Sequence, residues 1–215
     1  MKIISLNIGE QKTVSWRGKP VKTGIFKYPV EGPLYLGKED VEGDVVYDRR
    51  YHGGIDKACY LFSADHYAEW KKMFPDSDWS FGMFGENLTV EHLNESEFYI
   101  GDILRIGGAT VQVSQPRQPC FKLGIRFGTQ AVLKKFIQKN QPGIYVRVLD
   151  PENVNLNDTV ELIERPHNSI RLLEVWDLLY GQNPDEELLN FALDYPLLAE
   201  GCKESLRQVK KVKFG

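Results

Sequence analysis

The sequence lacks the short signatures of most self-contained catalysts. It has no G-x-G-x-x-G after a strand-like run, no G-x-x-x-x-G-K-[ST] loop, no H-E-x-x-H, no G-x-S-x-G and no C-x-x-C. Those absences argue against nicotinamide, nucleotide, zinc-peptidase or serine-hydrolase chemistry carried by the chain itself. Cysteine is scarce. Cys59, Cys120 and Cys202 are odd in number and far apart, which argues against a disulfide framework and for reduced thiols. No run approaches the roughly 20 apolar residues of a membrane helix. The opening Met1–Asn7 turns polar too soon for a signal peptide, so a cytoplasmic address is expected. The net charge of −3 gives no basic field for nucleic acid or acidic lipid. No repeat at a solenoid period is present.

What is present reads as a globular chain. Its 215 residues are 42% hydrophobic and 27% charged, enough to bury a core without disulfide or metal staples. Up to about residue 165, short apolar runs broken by glycine and proline predict strands. These are Lys2–Asn7, Gly24–Tyr28, Ala58–Phe62, Asn87–Val90, Ile103–Ile106, Thr110–Ser114, Ile144–Leu149 and Val160–Glu164. Gly107-Gly108-Ala109 predicts a hairpin between the fifth and sixth. Two helices interrupt the series, capped by Ser63 and Thr129. After residue 165 three helices follow, opening at Ser169, at Asn183-Pro184 and near Pro196. The expected fold class is mainly β (α+β): a barrel-like domain over residues 1–165, then a small three-helix bundle over residues 166–215.

Three segments carry candidate chemistry. Asp48–Ala58 holds Arg49, Arg50, His52 and the pair Gly53-Gly54 just before a strand, an arrangement suited to an anion. A solvated turn is the commoner outcome for such a run. A metal reading of His52, Asp56 and His66 matches no ligand spacing. Phe81–Leu88 contains a Gly-x-x-Gly loop entering Glu86-Asn87, for which a tight turn is the favoured reading. Gln115-Pro116-Arg117-Gln118-Pro119-Cys120 holds a thiol in a proline-stiffened frame beside Arg117 and Lys122. A buried thiol acting as a small hydrophobe suits Cys59, and Cys202 as well, although Lys203 and Glu204 beside Cys202 leave an exposed position open.

Taken in order, these pieces resemble the MOSC family, named for the C-terminal domain of molybdenum cofactor sulfurases. The matching text is Glu42-Gly43-Asp44, Tyr51-His52-Gly53-Gly54, Asp56-Lys57-Ala58, Gly85-Glu86-Asn87-Leu88, Ile100-Gly101-Asp102 and Gln115–Cys120. The trailing helices are similar to those of the YiiM-like branch. The resemblance implies a barrel-like domain that binds the molybdenum cofactor (molybdopterin), with Cys120 as metal ligand or sulfur carrier. It implies Lys27, Arg49, Arg50, Asn87 and Arg117 as cofactor-binding residues, and Cys120 and His52 as catalytic ones. Which of Arg49 and Arg50 faces the site stays open.

The activity implied is reduction of N-hydroxylated compounds, with electrons from a separate donor protein. The alternative is a carrier of cofactor, or of a persulfide on Cys120, without turnover. The C-terminal helices are expected to serve substrate access or partner docking and not to hold the cofactor.

Overall fold

Short alternating runs between glycines and prolines are too brief for helices and pair as strands instead. The computed structural model describes residues 1–47 and 53–215. In chain order it places β1 (Lys2–Gly9), β2 (Lys12–Trp16), β3 (Lys19–Thr23), β4 (Lys27–Pro29), β5 (Leu34–Leu36), β6 (Cys59–Ser63) and helix α1 (Tyr67–Met73). Next come β7 (Leu88–Glu91), β8 (Ile103–Ile106), β9 (Ala109–Pro116), helices α2 (Phe121–Arg126) and α3 (Ala131–Lys139), β10 (Ile144–Asp150), β11 (Glu152–Val154) and β12 (Val160–Glu164). Helices α4 (Leu172–Tyr180), α5 (Glu186–Asp194) and α6 (Glu200–Lys213) close the chain. Among the described residues, no helix is long and apolar enough to cross a membrane.

The fold is mixed α+β around one large sheet. Eight strands run in the order β12-β8-β9-β10-β6-β7-β1-β4, with β6 and β7 parallel and the other neighbours antiparallel. The sheet curls until β12, at one end, reaches β1, the strand next to the other end. Ile3 N–H donates to Asp158 O (3.0 Å) and Val160 N–H donates to Met1 O (2.9 Å). The barrel-like expectation thus takes the form of a coiled sheet, bridged at Lys2 and Thr159 and without a closing ladder among the described residues.

Two apolar clusters hold the layers together. One joins Ile3, Leu61, Leu88, Val111 and Val146 of the sheet to Leu172, Val175, Leu178 and Leu189 of the C-terminal helices. The other is aromatic. Phe62 of β6 stacks on Phe84 at 4.2 Å, Trp70 of α1 and Phe136 of α3 surround them, and Trp176 of α4 meets Phe136 at 6.0 Å. Each large side chain so buried contributes about 1.5–3 kcal/mol.

The helix starts differ from their sequence signals, for local reasons. Helix α4 begins at Leu172, not after Ser169, because Glu174 accepts the Arg171 N–H (2.9 Å) and closes the first turn there. Helix α5 is capped by Asp185, whose Oδ1 accepts the Leu188 N–H (2.7 Å), so Asn183 and Pro184 stay outside it. Helix α6 begins at Glu200. Its first N–H donates to Asp56 Oδ2 (3.2 Å), while Asp56 Oδ1 accepts from Arg147 Nε (2.5 Å). Arg147 Nη1 also donates to Leu197 O (2.8 Å). This joint fixes the C-terminal helices beside the end of β9, where the candidate site begins.

Candidate functional site

The site starts where β9 ends at Pro116. A proline at 119 disfavours helical backbone at Gln118, and Cys120 is extended (φ −125°, ψ 167°) before α2 turns away. The Cys120 carbonyl accepts the Leu123 N–H (2.9 Å), so the thiol stands at a strand-to-helix corner, half-buried. Phe121 packs against Trp16 of the β2–β3 hairpin at 6.3 Å between ring centres. That contact holds the hairpin beside the thiol.

Cys120 lies at the waist of a two-chambered cleft. The inner chamber, about 680 Å³ of open space counted to its mouth, is lined by Lys27, Asp44, Asn87, Arg117, Lys122 and Tyr145 among others. The outer one, about 1780 Å³ on the same measure, is walled by the hairpin (Pro20, Val21, Lys22) and by Gly201, Glu204 and Ser205 of α6. Cys120, Lys57, Lys122, Gln118, Tyr47 and Tyr145 border both.

At the floor, Lys27 and Asp44 form an ion pair of 2.5 Å with side chains only 9% and 2% exposed. Asp44 also accepts the Gly9 N–H (2.8 Å) and the Asn87 amide (3.0 Å). Asn87 in turn accepts the Tyr60 N–H (3.3 Å) and donates to Asn7 O (3.4 Å). Lys27 and Asn87 therefore line the cleft with their main polar contacts made inside the protein. Replacing Lys27 by methionine strands the Asp44 carboxylate and is expected to cost about 3–5 kcal/mol, because so little solvent reaches the pair. The double change Lys27→Met with Asp44→Asn should recover much of that. A urea midpoint for Lys27→Met equal to the parent's would refute the account.

The opposite wall is cationic. Arg117 is 4% exposed, its guanidinium lies over the rings of Phe136 (5.1 Å) and Tyr60 (5.6 Å), and its Nη1 is buried without a hydrogen-bond partner. Burial works against its charge, but Tyr60, Tyr145 and Cys120 outweigh that and hold its pKa above the ordinary guanidinium value. Lys57, at the cleft's edge, is pulled below its ordinary pKa by burial, against the pull of Cys202, Asp56, Glu204 and Cys120.

The other sequence candidates separate by place. Gly82 and Gly85 both have positive φ, and a Cβ on either would strike Lys27 backbone or Ile25. Their loop is a tight turn held by the buried Glu86, which accepts from Gly82 N (2.9 Å), Phe84 N (3.1 Å), Thr89 Oγ1 (2.9 Å) and the Tyr67 hydroxyl. Burial raises the Glu86 carboxyl above the usual range, against those hydrogen bonds. Cys59 and Cys202 are fully buried, and burial pushes both thiols up to about 12. The position for Cys202 is thus interior, because its face of α6 packs into the main core. His66 is engaged with Glu95 at 3.0 Å. No group of three potential metal ligands occurs among the described residues. Arg49, Arg50 and His52 lie outside the described residues.

The family model for the MOSC domain matches residues 48–161, just over half of the chain. The chain is a MOSC-domain protein. Among relatives, YflK of Bacillus subtilis is 42% identical over 97% of this chain and 94% of its own length. A protein of Gibberella moniliformis named a reductase is 32% identical over 90% of this chain, which spans only 36% of that longer protein. The crystal structure of YiiM from Geobacillus stearothermophilus superposes with a TM-score of 0.79 at 29% identity, covering 96% of this chain and 97% of that one. The YiiM-like MOSC architecture, C-terminal helices included, is therefore shared.

MOSC domains are associated with the molybdenum cofactor, a pterin dithiolene bearing a phosphate, and the residues present fit it. A soft thiol faces the cleft, and the orphaned Arg117 Nη1 is a buried donor without a partner. Nothing in the sequence marks Tyr145, Asp44 is marked only as part of a matching motif, and Lys122 only as a cation beside Cys120. Asp44 lies 17 residues from Lys27 and 43 from Asn87, and only β1, β4 and β7 pairing side by side brings the three together. Tyr145 sits on a strand whose alternation signals packing alone.

Proposed function

We propose that this MOSC protein is a molybdenum-cofactor-dependent reductase of N-hydroxylated compounds that draws electrons from a partner redox protein. The observation that carries this reading is the half-buried Cys120 at the waist of the cleft, with Arg117 on the inner side and open space on the outer side. A relative named a reductase supports the reaction class. Bound in the inner chamber, the cofactor would supply the redox centre. Cys120 would give up its thiol proton and act as the soft metal ligand. Arg117 would hold the cofactor phosphate, and Lys27 with Asn87 would shape the floor. The outer chamber, bordered by Tyr47 and Tyr145, would admit the substrate.

The reaction balances as R–NHOH plus two electrons and two protons giving R–NH2 and water. The N–O bond breaks, an N–H bond forms, and the oxygen leaves with two protons. His52, which the resemblance to the family implies as catalytic, would be the proton donor, histidine being a common general acid near neutral pH.

The test is the full chain made in cells competent for molybdopterin synthesis. Molybdenum is measured by elemental analysis, and turnover of an N-hydroxylated base analogue is followed with reduced methyl viologen replacing the partner. Bound molybdenum with turnover supports the reading. Bound molybdenum, or transferable sulfur on Cys120, without turnover makes the protein a carrier. Absence of molybdenum overturns both cofactor readings.

A further inference from the structure

We infer that Lys122 and Arg117 together form a site for a phosphate monoester dianion, and that the phosphate of the pterin cofactor is its ligand. Lys122 stands in the first turn of α2, two residues after Cys120, and lines both chambers. It is only 9% exposed, yet no hydrogen bond or ion pair involves its ammonium among the described residues. Arg117 adds a second cation on the inner side: it meets the Tyr145 side chain, but its Nη1 is orphaned and no carboxylate is among the groups that act on it. Buried charges are normally paired, because taking an ion out of water costs several kcal/mol. Two uncompensated cations on one cleft therefore point to a missing anion.

Charge arithmetic narrows the ligand. Lys27 is neutralised by Asp44, and Lys57 is offset by the pull of Asp56 and Glu204. Among the described residues, that leaves about two positive charges on the wall, from Arg117 and Lys122. A phosphate monoester carries about −1.5 to −2 at pH 7. A carboxylate would leave one cation unpaired. Lys27 is then a positioning residue, which acts on the floor through Asp44 and does not reach for the phosphate with a free charge.

Naming the cofactor as the source of the phosphate rests on the function proposed above, whereas the anion site itself stands on the two cations. The experiment uses the full chain from cells unable to make molybdopterin, with inorganic phosphate as the probe. Melting temperature is recorded against phosphate concentration at constant ionic strength, with chloride as the control. Saturable stabilisation is expected. Lys122→Met and Arg117→Met should each weaken phosphate binding at least ten-fold, Lys122→Arg should keep most of it, and Lys134→Met, on the exposed face of α3 and away from both chambers, should keep all of it. Without phosphate, Lys122→Met should melt no lower than the parent, since a buried unpartnered ammonium has been removed. That last arm separates lost binding from lost folding. Phosphate binding by Lys122→Met equal to the parent's overturns the site.

A second arm uses cofactor-loaded chain. If the cofactor phosphate fills the site, added phosphate no longer shifts the melt. A loaded chain that still responds overturns the cofactor assignment and gives the site to a phosphorylated substrate. If the chain never binds molybdenum, the reductase reading fails, while the first arm still decides the anion site on its own.

Discussion

Cys120→Ala is expected to abolish reduction of N-hydroxylated substrates, a loss of more than about 100-fold, while the protein stays folded. The size follows from the ligand's position. Changes one shell out from a metal already cost about 10–100-fold in affinity or activity, and removal of the ligand itself should exceed that. The fold should barely notice. Cys120 is half-buried at a corner, and α2 is held by the Leu123 N–H on the Cys120 carbonyl, which alanine keeps. A stability change within about 1 kcal/mol is expected.

The other two thiols supply the control. Cys59 lies in β6 and Cys202 in α6, both in the main core, and their raised pKa values leave almost no thiolate at neutral pH. Cys59→Ala and Cys202→Ala should keep turnover and lose only packing. Alkylation followed by mass spectrometry should mark Cys120 alone in the native chain. Turnover near the parent's in Cys120→Ala would remove this thiol from the chemistry.

The contrast among the three cysteines was partly legible in the sequence, and the reason is physical. Pro116 and Pro119 restrict backbone wherever they occur, so the frame around Cys120 could be read locally. Strands with clean alternation, such as β8 and β9 across Gly107-Gly108, were equally visible. The β2–β3 hairpin was not, because its turn uses Arg17 (φ 50°) and Gly18 (φ 74°) and not a pair such as Asn-Gly. Helix α2 was hidden as well. It has six residues and an internal glycine, Gly124, where a Cβ would strike the Gln130 side chain. Both elements flank the outer chamber, so what escaped the sequence reading was the outer wall of the cleft. The Lys27–Asp44–Asn87 floor escaped for another reason. It joins residues far apart in the chain, and the pairing of β4, β1 and β7 decides that meeting.

Cutting the chain after Arg165 is expected to destroy the fold and not merely to remove an appendage. The segment after the cut buries Leu172, Val175, Leu178, Leu189, Leu198 and Leu206, and those residues belong to the same cluster as Ile3, Leu61 and Val146 of the sheet. At about 1.5–3 kcal/mol per buried large side chain, even two or three such contacts approach the roughly 5–15 kcal/mol of a whole domain. Polar joints add to this. Ile100 N–H donates to Ile170 O (2.9 Å), Leu172 N–H to Phe98 O (2.9 Å) and Ala199 N–H to Ser114 O (3.2 Å), all across the cut. Asp56 and Arg147 would keep each other but lose the Glu200 N–H and the Leu197 carbonyl. Gly101 shows how close the approach is, since a Cβ there would lie 2.5 Å from Leu197 Cδ1.

A fragment of residues 1–165 should therefore aggregate, or persist only in a state with strand-type far-UV dichroism and no near-UV signal. The helices' role at the site must then be tested in the full chain. Glu204 and Ser205 face the outer chamber, so Glu204→Gln should alter KM for substrate while molybdenum content stays unchanged. A 1–165 fragment that unfolds cooperatively with the parent's near-UV spectrum would show that the sheet stands alone and that the helices are a separable domain.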